Sequence, residues 1–460
     1  MNAEEDSLGT IEGDGDERHE YDECLARRIE MRHQKQGGKN KRTLGLFLGG
    51  GRRVHEAAIV PWYYGGLLTW ALKRYMEKEG WQAVRTLGYE LGEPVHTGVN
   101  TGCGQQENLL ANGQLLIEKE ASRLVVTVKI HPLGTNSVLV EGPANRRDEV
   151  RGFMAGVCTL AREQNFYRGE KLEFASRFAG RLRFLQLKDR SWESIILDEN
   201  TKNEVWANTV GFLARKEWWP KHGISPKRGL LLAGEPGTGK TVICKALMAQ
   251  ASGVTCIAAN AYALDEDEYL TDLYKLAEDL SPCIVFIEDI DLIGQNRYEC
   301  GYQRGSALLS LMSVLDGIEE KKNIITVATT NCLDMLDRAL SQRPSRFDRV
   351  VRLTKPSFDQ RLEIVSRLCQ RVPLTDNLQR YVAGRTDGFT PAQVQEVIYS
   401  LVIEQTDDDS AAHIFSEQEV DRIVSRINGK TRHPLGFHAL SNHNGQKADF
   451  AGAAGVGLNG

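Results

Sequence analysis

The chain has 460 residues, 41% of them hydrophobic, and a formal net charge of −5 at pH 7. This length accommodates two or three soluble domains, and the small net charge gives no global electrostatic case for a nucleic-acid binder. The nine cysteines form no C-x-x-C pair and no zinc-type cluster, which excludes a disulfide scaffold and suggests a reducing, cytoplasmic compartment.

Residues 1–43 read as a disordered charged arm. It is acidic from Asp14 to Glu23, then basic through Arg27, Arg28, Arg32, Lys35, Lys39, Lys41 and Arg42. The acidic start is unlike a secretory or transit leader. Residues 44–188 read as an α+β accessory domain for a substrate or partner. It has a helix near Pro61–Glu79, strands at Arg123–Ile130 and Ser137–Val140, and a helix from Arg147 to Gln164. The apolar stretch Ala57–Leu72 is shorter than the roughly 20 residues of a membrane span, and Pro61 and Gly65-Gly66 interrupt it. No transmembrane segment is expected there.

Residues 189–355 alternate apolar strands with helices, the pattern of a parallel sheet covered on both faces. Residues 356–428 read as helical, with stripes at Leu362, Ile364, Val365, Leu368 and at Val394, Val397, Ile398, Leu401. Residues 429–460, rich in Gly, Ala, Asn and His, read as a mobile tail. Cys244, Cys256, Cys283 and Cys332 lie among apolar residues and are expected in the core.

The chemistry is concentrated in the third of these blocks. Gly234-Glu235-Pro236-Gly237-Thr238-Gly239-Lys240-Thr241 fits the phosphate-loop pattern G-x-x-x-x-G-K-S/T, between an apolar strand (Gly229–Ala233) and a helix-like run from Val242. Such a loop wraps a polyphosphate with backbone N–H groups at a helix N-terminus. Lys240 would reach the β- and γ-phosphates and the Thr241 hydroxyl would ligate Mg²⁺, so the bound ligand is expected to be ATP. No N-K-x-D guanine motif appears in this block.

A second apolar strand, Ile284–Ile287, ends in Glu288-Asp289 and delivers two carboxylates to the sheet edge where ligands of open α/β folds bind. An isolated pair of this kind is usually a solvated strand end; behind a phosphate loop it fits a metal-side and a water-side acid. Neighbouring side chains on a strand point to opposite faces, which separates those two tasks. A third strand, Ile324–Thr330, ends at Asn331, placed to orient the attacking water or touch the γ-phosphate. Arg343 and Arg346 flank Pro344, close to Asp348. Elsewhere they would be surface charges, but beside a γ-phosphate an arginine finger contributes on the order of 10³–10⁵ in rate.

Together these stretches resemble the AAA family of ATPases. The resemblance implies a P-loop AAA parallel-sheet core with a C-terminal helical lid, here preceded by the α+β accessory domain. It implies Walker A at Gly234–Thr241, Walker B at Ile284–Asp289, sensor 1 at Asn331, and fingers at Arg343 and Arg346. Gly388-Phe389-Thr390-Pro391-Ala392 is similar to the lid motif. Most members end Walker B in Asp-Glu; the order here is Glu288-Asp289. By alignment Glu288 takes the metal side and Asp289 the general base, with Glu288 the rival for that role. Either Arg343 or Arg346 serves as the principal finger.

A narrower likeness covers residues 60–400. Ser191–Glu199, Phe212–Trp219 and His222–Gly229 resemble the segment ahead of Walker A in the branch of the mitochondrial Rieske-protein translocase and its soluble bacterial relatives. The mitochondrial members carry a membrane helix that this sequence does not show. After Val254–Ala258 no aromatic-hydrophobic-Gly pore loop follows; Tyr262 and Tyr269 are expected in the core rather than at a pore. The implied function is ATP-driven remodelling or translocation of a protein partner by a homo-oligomeric ring, hexameric or heptameric. The alternative is a nucleotide-dependent switch or scaffold that recruits a partner or, through the basic arm, nucleic acid.

Overall fold

The computed structural model describes residues 40–89, 92–102, 104–131, 136–175, 182–187, 191–260, 264, 267–292, 323–332, 347–370, 372, 374–404 and 415–432. The chain divides into two compact units, Met1–Thr354 and Lys355–Gly460.

The first unit contains two sheets. A helix over residues 40–47 (α1) precedes an antiparallel sheet of β1 (Arg53–Val60), β2 (Gln82–Leu87), β3 (Val95–Asn100), β4 (Gln106–Lys119), β5 (Ser122–Lys129) and β6 (Asn136–Pro143). Its order is β1-β6-β5-β4-β2, and β3 pairs with the other half of β4. Helices α2 (Gly65–Glu79) and α3 (Arg147–Glu163) bring Leu68, Leu72, Val150 and Phe153 onto Leu124, Val126 and Val128 of β5. Val125 points the other way and packs with Leu44 and Leu48. The two-residue period of the strand assigns those faces, and burial on both sides explains why β5 is apolar without alternation.

The second sheet runs β13-β9-β12-β11-β10-β7-β8. Its strands are β7 (Lys171–Phe174), β8 (Leu182–Phe184), β9 (Arg228–Ala233), β10 (Thr255–Asn260), β11 (Cys283–Glu288), β12 (Ile324–Thr330) and β13 (Arg349–Arg352), with helices α4 (Glu199–Ala207) and α5 (Val210–Leu213) ahead of β9. All neighbours are parallel except β7 and β8. One face packs Val285 and Ile287 against Leu273 and Tyr274 of α7 (Asp267–Asp279). The other packs Ile284 and Phe286 against Ile243 and Leu247 of α6 (Lys240–Gln250). Between them, β9 and β12 set the loop and the carboxylate strand two strands apart, with their carboxyl ends on one edge.

Four expectations change. The helix over residues 40–47 begins inside the stretch 1–43 read as a disordered arm, and Asn40 Nδ2 donates to Gly88 O at 2.7 Å. The second sheet already includes β7 and β8, ahead of residue 189 where the sequence reading begins the core. Lys171-Leu172-Glu173-Phe174 is too short a run to signal a strand, and it is the pairing with β10 that makes it one. Cys244, Cys256 and Cys283 are buried as expected, but Cys332 is exposed, because β12 ends at Thr330 and the chain turns off the sheet edge. The last helix, Glu417–Arg432, continues past residue 428, where the sequence reading begins the tail. Val420, Ile423, Val424 and Ile427 form its buried stripe.

The second unit comprises the helices Phe358–Leu368, Asp376–Arg385, Pro391–Ile403 and Glu417–Arg432, around Val365, Val382, Val394, Val397 and Ile398. Thr390 caps the third of these through Gln393 N, and Gln393 returns a bond to Thr390 N, with Pro391 in the first turn. Thr390→Ala removes one side of that capping box. The expected loss is about 1 kcal/mol, read as a lower urea midpoint with an unchanged slope. Among the described residues, no helix is long and apolar enough to cross a membrane.

Candidate active site

The eight-residue loop begins where β9 leaves the sheet. Gly234 N donates to Thr330 O at 3.2 Å, tying the loop to the end of β12. A side chain at Gly234 would place its Cβ 2.7 Å from Leu353 O and 2.9 Å from Thr238 Oγ1, so the close approach requires glycine. Gly239 caps α6 at φ +99°, a left-handed turn that delivers Lys240 as the first helical residue. The free N–H groups of that first turn make an anion-binding end.

Lys240 is 6% exposed. Its Nζ donates to Gly234 O at 2.7 Å and Glu235 O at 3.1 Å, which curls the side chain back over the loop. Burial lowers its pKa from the ordinary lysine value, against the opposing pull of the Asp289 and Asp291 carboxylates. Thr238 Oγ1 donates to Glu235 O at 2.8 Å and closes the loop on itself.

The two acids separate where β11 ends: Glu288 is its last residue, and Asp289 follows it with a left-handed backbone. Glu288 Oε2 lies 3.5 Å from Thr241 Oγ1, on the side of α6. Burial raises the Glu288 carboxyl above its ordinary pKa, while the nearby Lys245 ammonium works the other way. Asp289 lies toward β12, where its Oδ1 accepts a bond from Asn331 Nδ2 at 3.1 Å. Asn331 is held at its backbone too, since its N–H donates to Asp291 Oδ1 at 3.1 Å.

The structure therefore brings together the loop, Thr241, Glu288, Asp289 and Asn331. Arg343 and Arg346 lie outside the described residues, as does Tyr262. Tyr269 is 5% exposed and sits in the core, as expected. Sequence reasoning gave no role to Asp291, which accepts from Asn331 N, or to Thr329, whose Oγ1 accepts from Asp289 N at 3.0 Å. Asp291 follows Glu288-Asp289 by two residues, but its bond to Asn331, 40 positions away, leaves no local mark. Asp348, read beside the arginines, instead accepts from Gly229 N at 2.7 Å and lies 3.6 Å from Arg228. It fixes the start of β9.

The donor set suits a magnesium ion. The Thr241 hydroxyl and Glu288 carboxylate are hard oxygen donors that already converge, and Mg²⁺ at nucleotide sites takes one or two protein oxygens plus phosphates and water. Among the described residues, no group of three or more His, Cys, Asp or Glu side chains is placed to hold a metal without a substrate.

Residues 230–355 match the model of the ATPase family associated with various cellular activities (AAA). The chain carries an AAA ATPase domain. Its fold is α/β, a parallel sheet with helices on both faces, and the chain continues into a helical C-terminal region. The ATP-dependent zinc metalloprotease FtsH of Rhodothermus marinus is 33% identical over 250 residues, covering 51% of this chain and 35% of that protein. The proteasome-activating nucleotidase of Sulfurisphaera tokodaii is 35% identical over 198 residues, covering 40% of this chain and 50% of that protein. A mitochondrial inner membrane m-AAA protease component of Schizosaccharomyces pombe is 30% identical over 249 residues, 51% of this chain and 32% of the relative. The matches thus span half or less of these relatives' own length.

Proposed function

We propose that the chain hydrolyses the β–γ phosphoanhydride bond of ATP and, as one subunit of a ring, uses it to remodel or move a protein partner. The observation that carries this reading is the division of the two acids, Glu288 toward Thr241 at the end of the loop and Asp289 toward Asn331 just past β12. In this assignment the loop N–H groups and Lys240 bind the triphosphate, and Thr241 and Glu288 hold Mg²⁺. The ion supplies charge neutralisation at the phosphate oxygens. Asp289 accepts the proton of the water whose oxygen attacks the γ-phosphorus, and Asn331 orients that water. The bond to the bridging oxygen breaks, leaving ADP and phosphate.

The peptidase named in the FtsH relatives is theirs; the present sequence contains no H-E-x-x-H. The finer likeness to soluble relatives of the Rieske-protein translocase, with an accessory sheet ahead of the core, favours a folded partner over a threaded one. A cytoplasmic site of action fits the free state of Cys158, Cys244, Cys256, Cys283, Cys332 and Cys369.

Fingers supplied in trans call for a ring, and the family resemblance sets it at six or seven copies. Arg343 and Arg346 of one subunit would face the triphosphate held by the next. Arg343→Ala and Arg346→Ala chains are expected to be inactive alone, with turnover down on the order of 10³-fold or more. Mixed with Lys240→Ala chains they should regain part of it, because each supplies what the other lacks. Specific activity that stays constant on dilution to monomers contradicts the ring.

A further inference from the structure

Asp289 leaves β11 with φ of +55°. This is the left-handed region, uncommon for a non-glycine residue though more accessible to Asp than to most, so a local bond can decide whether it is kept. Strand pairing does not supply the hold, because the β11–β12 ladder ends at Ile287 opposite Ala328. A side chain does. The Asp289 backbone N–H donates to Thr329 Oγ1 at 3.0 Å.

Thr329 is well placed for this. It is 1% exposed and lies inside β12, in register with Leu232 of the strand that carries the phosphate loop. Its branched side chain has few χ1 states, so a fixed backbone also fixes the hydroxyl. The ends of β11 and β12 are then stitched three times: Asp289 N donates to Thr329 Oγ1, Asn331 Nδ2 to Asp289 Oδ1, and Asn331 N to Asp291 Oδ1. Of the three bonds, the one from Asp289 N to Thr329 acts on the backbone that decides where the Asp289 carboxylate points.

We propose that Thr329 is a positioning residue for hydrolysis: its buried hydroxyl holds Asp289 in the left-handed conformation and so aims the carboxylate at the attacking water. The inference rests on the reading of Asp289 as the base. Without the hydroxyl the Asp289 N–H is left without its acceptor, and the backbone relaxes toward negative φ. The carboxylate moves with it, and a displacement on the order of 1 Å lowers a rate by about 10²-fold. Lys240 and Thr241, which meet the nucleotide, are held by other bonds, so affinity is retained.

The test is a series at position 329 in the full chain, with ATP turnover and fluorescent-ATP binding measured on each protein. Turnover should follow the hydroxyl. Thr329→Ser keeps most of kcat, whereas Thr329→Ala and the near-isosteric Thr329→Val lose on the order of 10–10²-fold, with KM and nucleotide Kd unchanged. Turnover that follows size or branching, with Val like the parent, overturns the proposal. So does Thr329→Ala matching Thr329→Ser, a comparison that decides the matter even if Thr329→Val fails to fold. A merely structural role predicts affinity, melting temperature and kcat falling together, and that outcome overturns it too. Asp289→Asn separates the two levels. If it turns over like the parent, the base assignment fails; if it is inactive while Thr329→Ala and Thr329→Val are active, only the role of Thr329 fails.

Discussion

Replacing Lys240 with alanine is expected to abolish nucleotide binding. The side chain is buried, and the two loop carbonyls that accept its bonds keep the ammonium beside the α6 N-terminus. An ammonium already ordered and stripped of water meets a polyphosphate with little further ordering. Two charge-assisted hydrogen bonds to phosphate oxygens contribute about 3–6 kcal/mol, on the order of 10²–10⁴ in Kd. Alanine also leaves the carbonyls of Gly234 and Glu235 without this donor, so the loop loses its own clasp. Titration with a fluorescent ATP analogue checks this; a Kd equal to that of the parent removes Lys240 from the site.

Asp289→Asn gives the opposite pattern, binding kept and hydrolysis lost. The amide preserves the size of the side chain and can still bond to Asn331, but it cannot take a proton from water. A positioned general base contributes about 10²–10⁴ in rate, so kcat should fall by that factor with nucleotide Kd unchanged. The partner experiment is Glu288→Gln. Glu288 lies against Thr241 rather than Asn331, so its amide should raise the Mg²⁺ concentration needed for turnover before it affects the proton transfer. Normal turnover in Asp289→Asn beside an inactive Glu288→Gln exchanges the two roles. The inverted Glu-Asp order makes this pair the sharpest point of the assignment.

What the sequence shows and what it hides divide along physical lines. The loop, the acidic strand end and Asn331 were legible because each chemistry needs particular residue types at short spacing, next to strands apolar throughout. Five-residue runs such as Ile284–Glu288 carry their own boundary. The tie of Asp289 N to Thr329 was not legible, since it joins residues 40 positions apart through a backbone group that has no sequence signature. β7 was hidden for a similar reason: a four-residue strand is defined by its neighbour β10 and not by its own periodicity. Cys332 misled because its apolar surroundings in sequence belong to a strand that ends two residues earlier. Asp348 looked like a member of a charged surface run, and only the fold turns it toward Gly229.

Phosphate release from ATP with Mg²⁺, measured on the parent chain beside Lys240→Ala and Asp289→Asn, tests the site as a whole. Release by the parent is expected, with none from either variant, and with ATP binding lost in Lys240→Ala and retained in Asp289→Asn. A parent that binds ATP and releases no phosphate in any assembled state, or an Asp289→Asn chain that releases it as fast as the parent, contradicts the reading.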